Sequence, residues 1–206
     1  MRKSSPVEIY RQLAFKMRNR IEFAESIFGA QASSSNIAET VCLQGRKIIE
    51  GIAYMALVAT DHSLGNLKIP RDAKTHWNAE TIFVRLKKKK LTLLPSPSRM
   101  SKSDDLRYKF VFSGVPEYVL NYDDLIEMYR RFHKGLHEPN PYVQPDEDDF
   151  YKKLIPVLRQ DIERLRNCTW IHFIGIKGQA FAVDLKNTHG VTAVVPLSKI
   201  AEPPSD

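Results

Sequence analysis

Two long apolar stripes at helical spacing occupy the first part of the chain and limit what it can fold into. In the first stripe, apolar residues recur at steps of three and four from Tyr10 to Ile27, which predicts a helix over about residues 7–29. A second stripe, from Ile37 to Ala59, predicts a longer helix. Because neither helix can bury its apolar face alone, we expect the two to pack as an antiparallel hairpin.

Three further helices are predicted before residue 168. The third would open at Pro70 and end in the lysine run 87–90, where cations complement the negative end of a helix dipole. The fourth would start near Asn121, and the fifth would begin at the acidic residues 146–149. The first four-fifths of the chain is therefore expected to be a helical bundle.

Strand-like patterns are predicted mainly after Cys168. Three short apolar runs separated by glycine-containing turns predict an antiparallel meander over residues 169–198, and residues 108–112 suggest one earlier short strand. Residues 93–105 are rich in proline and serine and are predicted as a loop. The expected fold class is α+β and mostly α, a bundle of about five helices with a small C-terminal antiparallel β-sheet.

The length of 206 residues suits a single structural unit. The expected division is a helical bundle domain over residues 1–167, a small β-meander over 168–200 packed on that bundle, and a tail over 201–206. The meander is too small to be stable alone, which is why it is expected to pack against the helices.

The formal net charge of +7 indicates the class of partner. A basic surface attracts phosphate polyanions such as RNA, and an acidic protein would respond to the same field. No apolar run approaches the roughly 20 residues that cross a bilayer, and the N-terminal residues lack the apolar stretch of a signal peptide. The sequence therefore predicts a cytoplasmic protein without a membrane partner.

The two cysteines, Cys42 and Cys168, offer no cofactor site. They lack the paired spacing, and the neighbouring histidines, that a zinc site needs. Cys42 falls on a predicted buried helix face, where it would be a small core residue. The chain also has no Walker loop, dinucleotide glycine pattern or nucleophile elbow, so we expect no metal and no cofactor.

Arginines and histidines gather on the predicted fourth helix. Its buried stripe has apolar residues at steps of four, three and four: Leu125, Tyr129, Phe132 and Leu136. A neighbouring stripe carries Arg130, His133 and His137, next to a second arginine, Arg131. If Gly135 instead caps the helix, His137 leaves this row and bonds a carbonyl at the helix end.

Such a row suits phosphoryl transfer from RNA. A guanidinium can hold a phosphate with two hydrogen bonds, and an imidazole can take or give a proton near neutrality. An RNA 2′-hydroxyl that attacks its own phosphate needs a base, an acid and stabilisation of the developing charge. Arg130 or Arg131 would hold the phosphate, while His137, together with His133, would move protons.

The spacing of these residues resembles the signature of the HEPN family (higher eukaryotes and prokaryotes nucleotide-binding), an Arg followed after four to six residues by a His. Arg130 matches His137 with six intervening residues, and Arg131 matches it with five. The resemblance implies an RNA-binding protein of a bacterial abortive-infection or toxin-antitoxin system, acting as a metal-independent endoribonuclease. It also implies a homodimer with a composite site and a cognate antitoxin or other protein as partner. A competing copy of the motif, Arg71 and His76, has four intervening residues.

Each of the other basic residues has two interpretations, one structural and one functional. The lysine run of the third helix is either a solvated helix end or a contact with RNA: Lys87, Lys88, Lys89 and Lys90. Arg46 either pairs with Glu50 one turn later or enters a polar cavity and contacts nucleic acid. His172, in a predicted strand, is expected to make a local hydrogen bond. The alternative function is a non-catalytic protein interaction module in which the Arg/His row is structural.

Overall fold

The fold is seen in a computed structural model that describes residues 5–60, 78–91, 94–102, 110–137, 140, 142, 146–176, 178–185 and 192–197. Within these residues the helices are α1 (Pro6–Ile27), α2 (Ser34–Ala59), α3 (Ala79–Lys88), α4 (Tyr122–Lys134) and α5 (Glu147–Thr169). The strands are β1 (Ser96–Lys102), β2 (Phe110–Gly114), β3 (Ile171–Ile176), β4 (Gln179–Asp184) and β5 (Ala193–Pro196). A 3-10 turn covers Pro116–Tyr118. The prediction of an α+β, mostly α fold is confirmed.

Helix α2 is the centre of the bundle. It packs against α1 as the predicted hairpin, and α4 and α5 contact its other sides. Serine side chains start both helices of the hairpin: Ser5 accepts the Glu8 N–H at 3.2 Å, and Ser33 accepts the Asn36 N–H at 3.3 Å. Because α2 has neighbours on several sides, its buried residues occupy most of its circumference.

Helix α4 begins with a capping box. Asn121 Oδ1 accepts the N–H groups of Asp123 and Asp124 at 2.8 and 3.0 Å, and the Asp124 carboxylate accepts the Asn121 N–H at 3.0 Å. At the other end, the Phe132 ring packs on Gly45 of α2, where a Cβ atom would lie 2.4 Å from the ring. This close approach sets α2 and α4 side by side and fixes which of their outer residues meet.

The prediction of a loop over residues 93–105 is wrong at β1. This strand pairs with β2 and β3 in a five-stranded antiparallel sheet of order β2-β1-β3-β4-β5. Proline lacks only the N–H group, and the Pro97 carbonyl still accepts the Val115 N–H at 3.0 Å. The sheet therefore includes residues from the middle of the chain. The predicted division at residue 168 would place β1 and β2 in one unit and the strands with which they form a sheet, β3 to β5, in another.

Helix α3 begins later than predicted. Asn78 has an extended backbone (φ −113°, ψ 157°), and its side chain accepts the Thr81 N–H at 2.8 Å, so the helix starts at Ala79. The predicted start at Pro70 and the competing Arg71–His76 motif lie outside the described residues.

The end of α3 uses a left-handed residue. Lys90 has φ 54°, its N–H bonds the Lys87 carbonyl at 2.9 Å, and the next N–H, of Leu91, bonds the Leu86 carbonyl at 3.1 Å. This is the hydrogen-bond pattern of a Schellman motif, in which glycine is the usual left-handed residue. A lysine side chain in this position is strained.

His172 makes the local hydrogen bonds that were predicted. It is fully buried, its Nδ1 donates to the Thr169 carbonyl at 2.7 Å, and its Nε2 accepts from the Tyr10 hydroxyl at 2.8 Å. Burial lowers the pKa of His172 to about 4, so the ring is neutral at neutral pH. These two bonds join α1 to the junction of α5 and β3. Within the described stretches, no helix is both long enough and apolar enough to cross a bilayer.

Candidate functional site

The two adjacent arginines of α4 point to different helices. Arg130, whose side chain is 67% exposed, forms an ion pair with Glu80 of α3. Arg131 donates from Nε to Asp161 of α5 at 2.7 Å and from Nη2 to Glu127 at 3.2 Å. The contacts of both guanidiniums in the described structure are therefore with carboxylates of their surroundings.

The partner of Arg131 explains its position. Asp161 is 3% exposed, and burial raises the pKa of its carboxyl group although the Arg131 guanidinium opposes this. A buried carboxylate requires a partner, and Arg131 supplies it with a hydrogen-bonded positive charge. The prediction that Arg130 or Arg131 faces the imidazoles is not met, because the contacts described for these two guanidiniums are with carboxylates and none is with an imidazole.

The guanidinium that reaches an imidazole comes from α2. Arg46 Nη1 lies 3.4 Å from His133 Nδ1, and Arg46 Nε donates to Glu50 at 3.2 Å. The Tyr129 ring lies beneath this guanidinium, with its centroid 5.6 Å from Arg46 Cζ. Glu50 also binds Lys47 at 2.8 Å. Arg46 thus makes the predicted pair with Glu50 and also reaches α4.

His137 stays beside His133 although α4 ends at Lys134. The turn continues past the helix, because the N–H groups of Leu136 and His137 bond the carbonyls of His133 and Lys134, each at 3.2 Å. The two imidazoles meet with their Nε2 atoms 3.3 Å apart and their ring planes at 89°. The prediction that Gly135 caps the helix is therefore confirmed, but its expected consequence is wrong, because His137 does not leave the row.

Gly135 makes this turn compact. Its backbone is right-handed (φ −72°), so the residue is not needed for a left-handed cap. A Cβ atom there would lie 2.5 Å from Cys42 Sγ, in the core beneath the turn. Glycine allows the end of α4 to lie directly on α2, the helix that carries Arg46. Cys42 is fully buried, as predicted, and burial raises the pKa of its thiol to about 12.

We call Arg46, His133 and His137 the α2–α4 cluster. A guanidinium can only donate, so His133 Nδ1 must accept and its proton lies on Nε2. That proton is donated to His137 Nε2, which leaves the proton of His137 on Nδ1. In this arrangement His133 contacts Arg46 through Nδ1 and His137 through Nε2.

The cluster has the groups needed to bind an anion and move protons. Both imidazoles are exposed, and the side chain of Arg46 is about one-third exposed, so a ligand can reach all three. A guanidinium carries five N–H groups, and those described here use Nε and Nη1. An arriving phosphate would accept hydrogen bonds from the guanidinium and from the imidazole N–H groups, in place of the contact between the two rings.

The lysine run lies apart from this cluster, at the end of α3. Lys87 Nζ contacts both carboxylate oxygens of Asp123 at 2.7 and 2.6 Å. Lys88, Lys89 and Lys90 are exposed. The ion pair of Lys87 and the position of the run at a helix C-terminus match the structural reading of these residues.

Sequence reasoning missed the carboxylates that bind the α4 arginines. Glu80 is 50 residues from Arg130, and Asp161 is 30 residues from Arg131. Local spacing gives no signal for such pairs, because they depend on how α3 and α5 pack against α4. Within the described residues, no group of three His, Cys, Asp or Glu side chains could hold a metal ion.

Comparison of the chain with protein-family models, with curated proteins and with solved structures finds no match. The function is therefore inferred from the geometry of the α2–α4 cluster and from the charge of the chain.

Proposed function

We propose that this chain is a HEPN-like RNA-binding protein of a bacterial defence or toxin-antitoxin system, and that it cleaves RNA at the α2–α4 cluster. The observation that carries the proposal is the arrangement of one guanidinium and two exposed imidazoles, with contacts of 3.4 and 3.3 Å between them. The net charge of +7 favours a polyanionic partner. In this proposal Arg46 takes the role that the motif spacing gives to Arg130 or Arg131.

The proposed reaction is transfer of a phosphodiester to the neighbouring 2′-oxygen. One imidazole accepts the proton of the 2′-hydroxyl as its oxygen bonds to phosphorus. The bond from phosphorus to the 5′-oxygen breaks, and the second imidazole, in its protonated form, gives a proton to that oxygen. Arg46 stabilises the charge on the non-bridging oxygens. The products are a 2′,3′-cyclic phosphate and a free 5′-hydroxyl.

The test is cleavage of a labelled single-stranded RNA in the presence of EDTA. His133→Ala and His137→Ala should each lower the rate by about 10²- to 10⁴-fold, as for the loss of a general acid or base. Lys134→Ala, which removes an exposed cation from the same helix, is the matched control and should cleave at nearly the wild-type rate. A 2′-deoxy residue at the cut site should prevent cleavage there. Unchanged cleavage by the double His variant would reject the catalytic proposal.

A cellular test follows from the same proposal. Expression of the wild-type chain should slow bacterial growth, and His137→Ala should relieve this effect at the same protein level. Co-expression of a cognate antitoxin should also relieve it. Equal growth inhibition by the wild type and by His137→Ala would argue against cleavage as the cause.

A second candidate function is a non-catalytic interaction module. The observation in its favour is that α1 presents two aromatic residues to solvent, Phe15 and Phe23, which are 45% and 47% exposed. Exposed aromatic side chains are enriched at protein interfaces. This candidate predicts association with a protein that persists at high salt, is lost in Phe15→Ser/Phe23→Ser, and occurs without retention of RNA.

A further inference from the structure

A cleft of about 480 Å³ lies outside the α2–α4 cluster, where α5 runs into β3 beside β1 and the 3-10 turn. Its volume is in the range of small-ligand sites. Two aromatic residues, Tyr118 and Trp170, and two arginines, Arg99 and Arg166, line it together with Glu25 and Ser98. None of these residues belongs to the cluster discussed above.

The aromatic side chains are carried by backbone that is held on both sides. The Trp170 N–H bonds the Arg166 carbonyl, and the Trp170 carbonyl accepts the Leu185 N–H, both at 2.8 Å. The Tyr118 N–H bonds the Val115 carbonyl at 3.1 Å, and Val115 is in turn tied to β1. A backbone held in this way limits the positions that the two rings can take, which lowers the entropy that a ligand must remove on binding.

The polar groups of the cleft are also held in place. Arg166 Nη1 donates to Glu25 at 3.1 Å, and its Nε and Nη2 each lie 3.4 Å from Asn167 Oδ1. Arg99 is exposed. Ser98 Oγ is buried and has no hydrogen-bond partner in the described part of the chain. A buried hydroxyl without a partner is costly, so a ligand atom that reached it would stabilise the site.

This combination of groups matches a nucleotide. Aromatic faces stack on bases of any sequence, and guanidiniums hold phosphates with charge-assisted hydrogen bonds. A purely apolar ligand would make no use of the charge of Arg99, which is exposed, and a simple anion would leave the rings unused. The cleft carries both kinds of group within the dimensions of one ligand.

We propose that this cleft binds one base and its adjacent phosphate in a single-stranded RNA. The inference rests on the proposed function for its choice of strand, since the same groups would also fit a free mononucleotide. Tyr118 and Trp170 contact the base, and Arg99 and Arg166 contact the phosphate. The cleft thereby holds part of the strand away from the α2–α4 cluster.

Trp170 can report on this binding directly. The chain has two tryptophans, at positions 77 and 170, so Trp77→Phe leaves Trp170 as the single indole. This variant is combined with His133→Ala/His137→Ala, so that the RNA stays intact. Titration with a ten-nucleotide oligoadenylate should quench Trp170 fluorescence in a saturable manner. AMP at the same concentrations should quench it much more weakly.

Two variants test the roles of side chains that line the cleft. Tyr118→Leu keeps apolar bulk without the ring and should weaken oligoadenylate binding by about 5- to 150-fold, the range for loss of one stacked base. Arg99→Ala should lower the slope of log affinity against log salt by about 0.7, the value for one phosphate contact on a single strand. Lys152→Ala, which removes a positive charge from the exposed side of α5, is the control and should change neither value.

The outcomes of these experiments distinguish failure of the proposal that the cleft binds RNA from failure of the proposal that the chain cleaves RNA. Saturable quenching of Trp170 fluorescence, with no cleavage by the wild-type chain, would reject the proposal of RNA cleavage and support the proposal of RNA binding in the cleft. Cleavage of RNA without quenching of Trp170 would reject the proposal that the cleft binds RNA. Equal effects of Arg99→Ala and Lys152→Ala on the slope of log affinity against log salt would reject it too. AMP binding as tightly as the oligonucleotide would show a free nucleotide as the ligand and would overturn the assignment to an RNA strand.

Discussion

Removal of Arg131 should destabilise the chain, whereas removal of the adjacent Arg130 should not. Arg131 is bonded at 2.7 Å to Asp161, which is 3% exposed. Breaking a buried ion pair by removal of one partner costs roughly 3–5 kcal/mol. Because the Arg131 side chain is 30% exposed, water screens part of the interaction, and we expect a loss of about 2–3 kcal/mol from Arg131→Ala.

This loss should depend on pH in a defined direction. Burial already raises the pKa of Asp161 above its ordinary value of 3.8, and without Arg131 it would rise further. The folded variant then binds a proton at higher pH than the unfolded chain, so its stability increases as the pH falls from 7 towards that value. The deficit relative to the wild type should therefore be greatest near pH 7 and become smaller in mild acid. Effects of other groups, such as His172, cancel in this difference.

Urea denaturation and thermal melting followed by circular dichroism measure these changes. For a chain of this size, a loss of 2–3 kcal/mol corresponds to a melting temperature lower by about 4–12 °C. Arg130→Ala, which removes a mostly exposed ion pair, should melt within about 2 °C of the wild type. Arg131→Ala with wild-type stability but without RNA cleavage would refute this reasoning, since Arg131 would then be functional rather than structural.

Three further predictions concern the fold. Gly45→Ala places a Cβ 2.4 Å from the Phe132 ring and should lower the free energy of unfolding by about 1–3 kcal/mol. Gly51→Ala places its Cβ in open space and should raise the free energy of unfolding by about 0.5–1 kcal/mol. Equal effects of the two changes in urea titrations would contradict the close packing of α2 and α4. Lys90→Gly relieves a left-handed backbone (φ 54°) and should raise the free energy of unfolding by about 1 kcal/mol; a decrease would show that the lysine side chain compensates for the strain. The pKa of His172 falls from 6.5 to about 4 on folding, so its contribution is present above pH 6.5 and is lost as the pH falls to about 4. The loss should reach about 3 kcal/mol, and a flat stability profile over that range would show that this histidine is not buried as a neutral ring.

Much of the fold could be predicted from the sequence because helix periodicity is a local property. Steps of three and four residues placed Leu125 and Phe132 on the buried side of α4, and both are buried. Strand β1 could not be found in this way. All its residues except Met100 are proline, serine or charged, and its pairing is made by backbone groups that leave little trace in the pattern of side chains.

The candidate site was predicted in part. The spacing placed His133 and His137 in one row, and they are in contact. Arg46 was predicted to pair with Glu50 or to contact nucleic acid, but its contact with His133 could not be predicted, because the direction of a long side chain depends on its neighbours in space. Arg130 and Arg131 bind carboxylates on α3 and α5, while Arg46 lies on a helix much earlier in the chain, 87 positions before His133.

The most direct test of the central claim is the relative cleavage rate of two arginine variants on the same single-stranded RNA. If the α2–α4 cluster is the site, Arg46→Ala should lower the rate by about 10²- to 10³-fold, as for the loss of a group that stabilises transition-state charge. Arg130→Ala should cleave within about two-fold of the wild type, because the described contact of Arg130 is with Glu80. The reverse order, with Arg46→Ala active and Arg130→Ala inactive, would contradict the assignment of the guanidinium to α2.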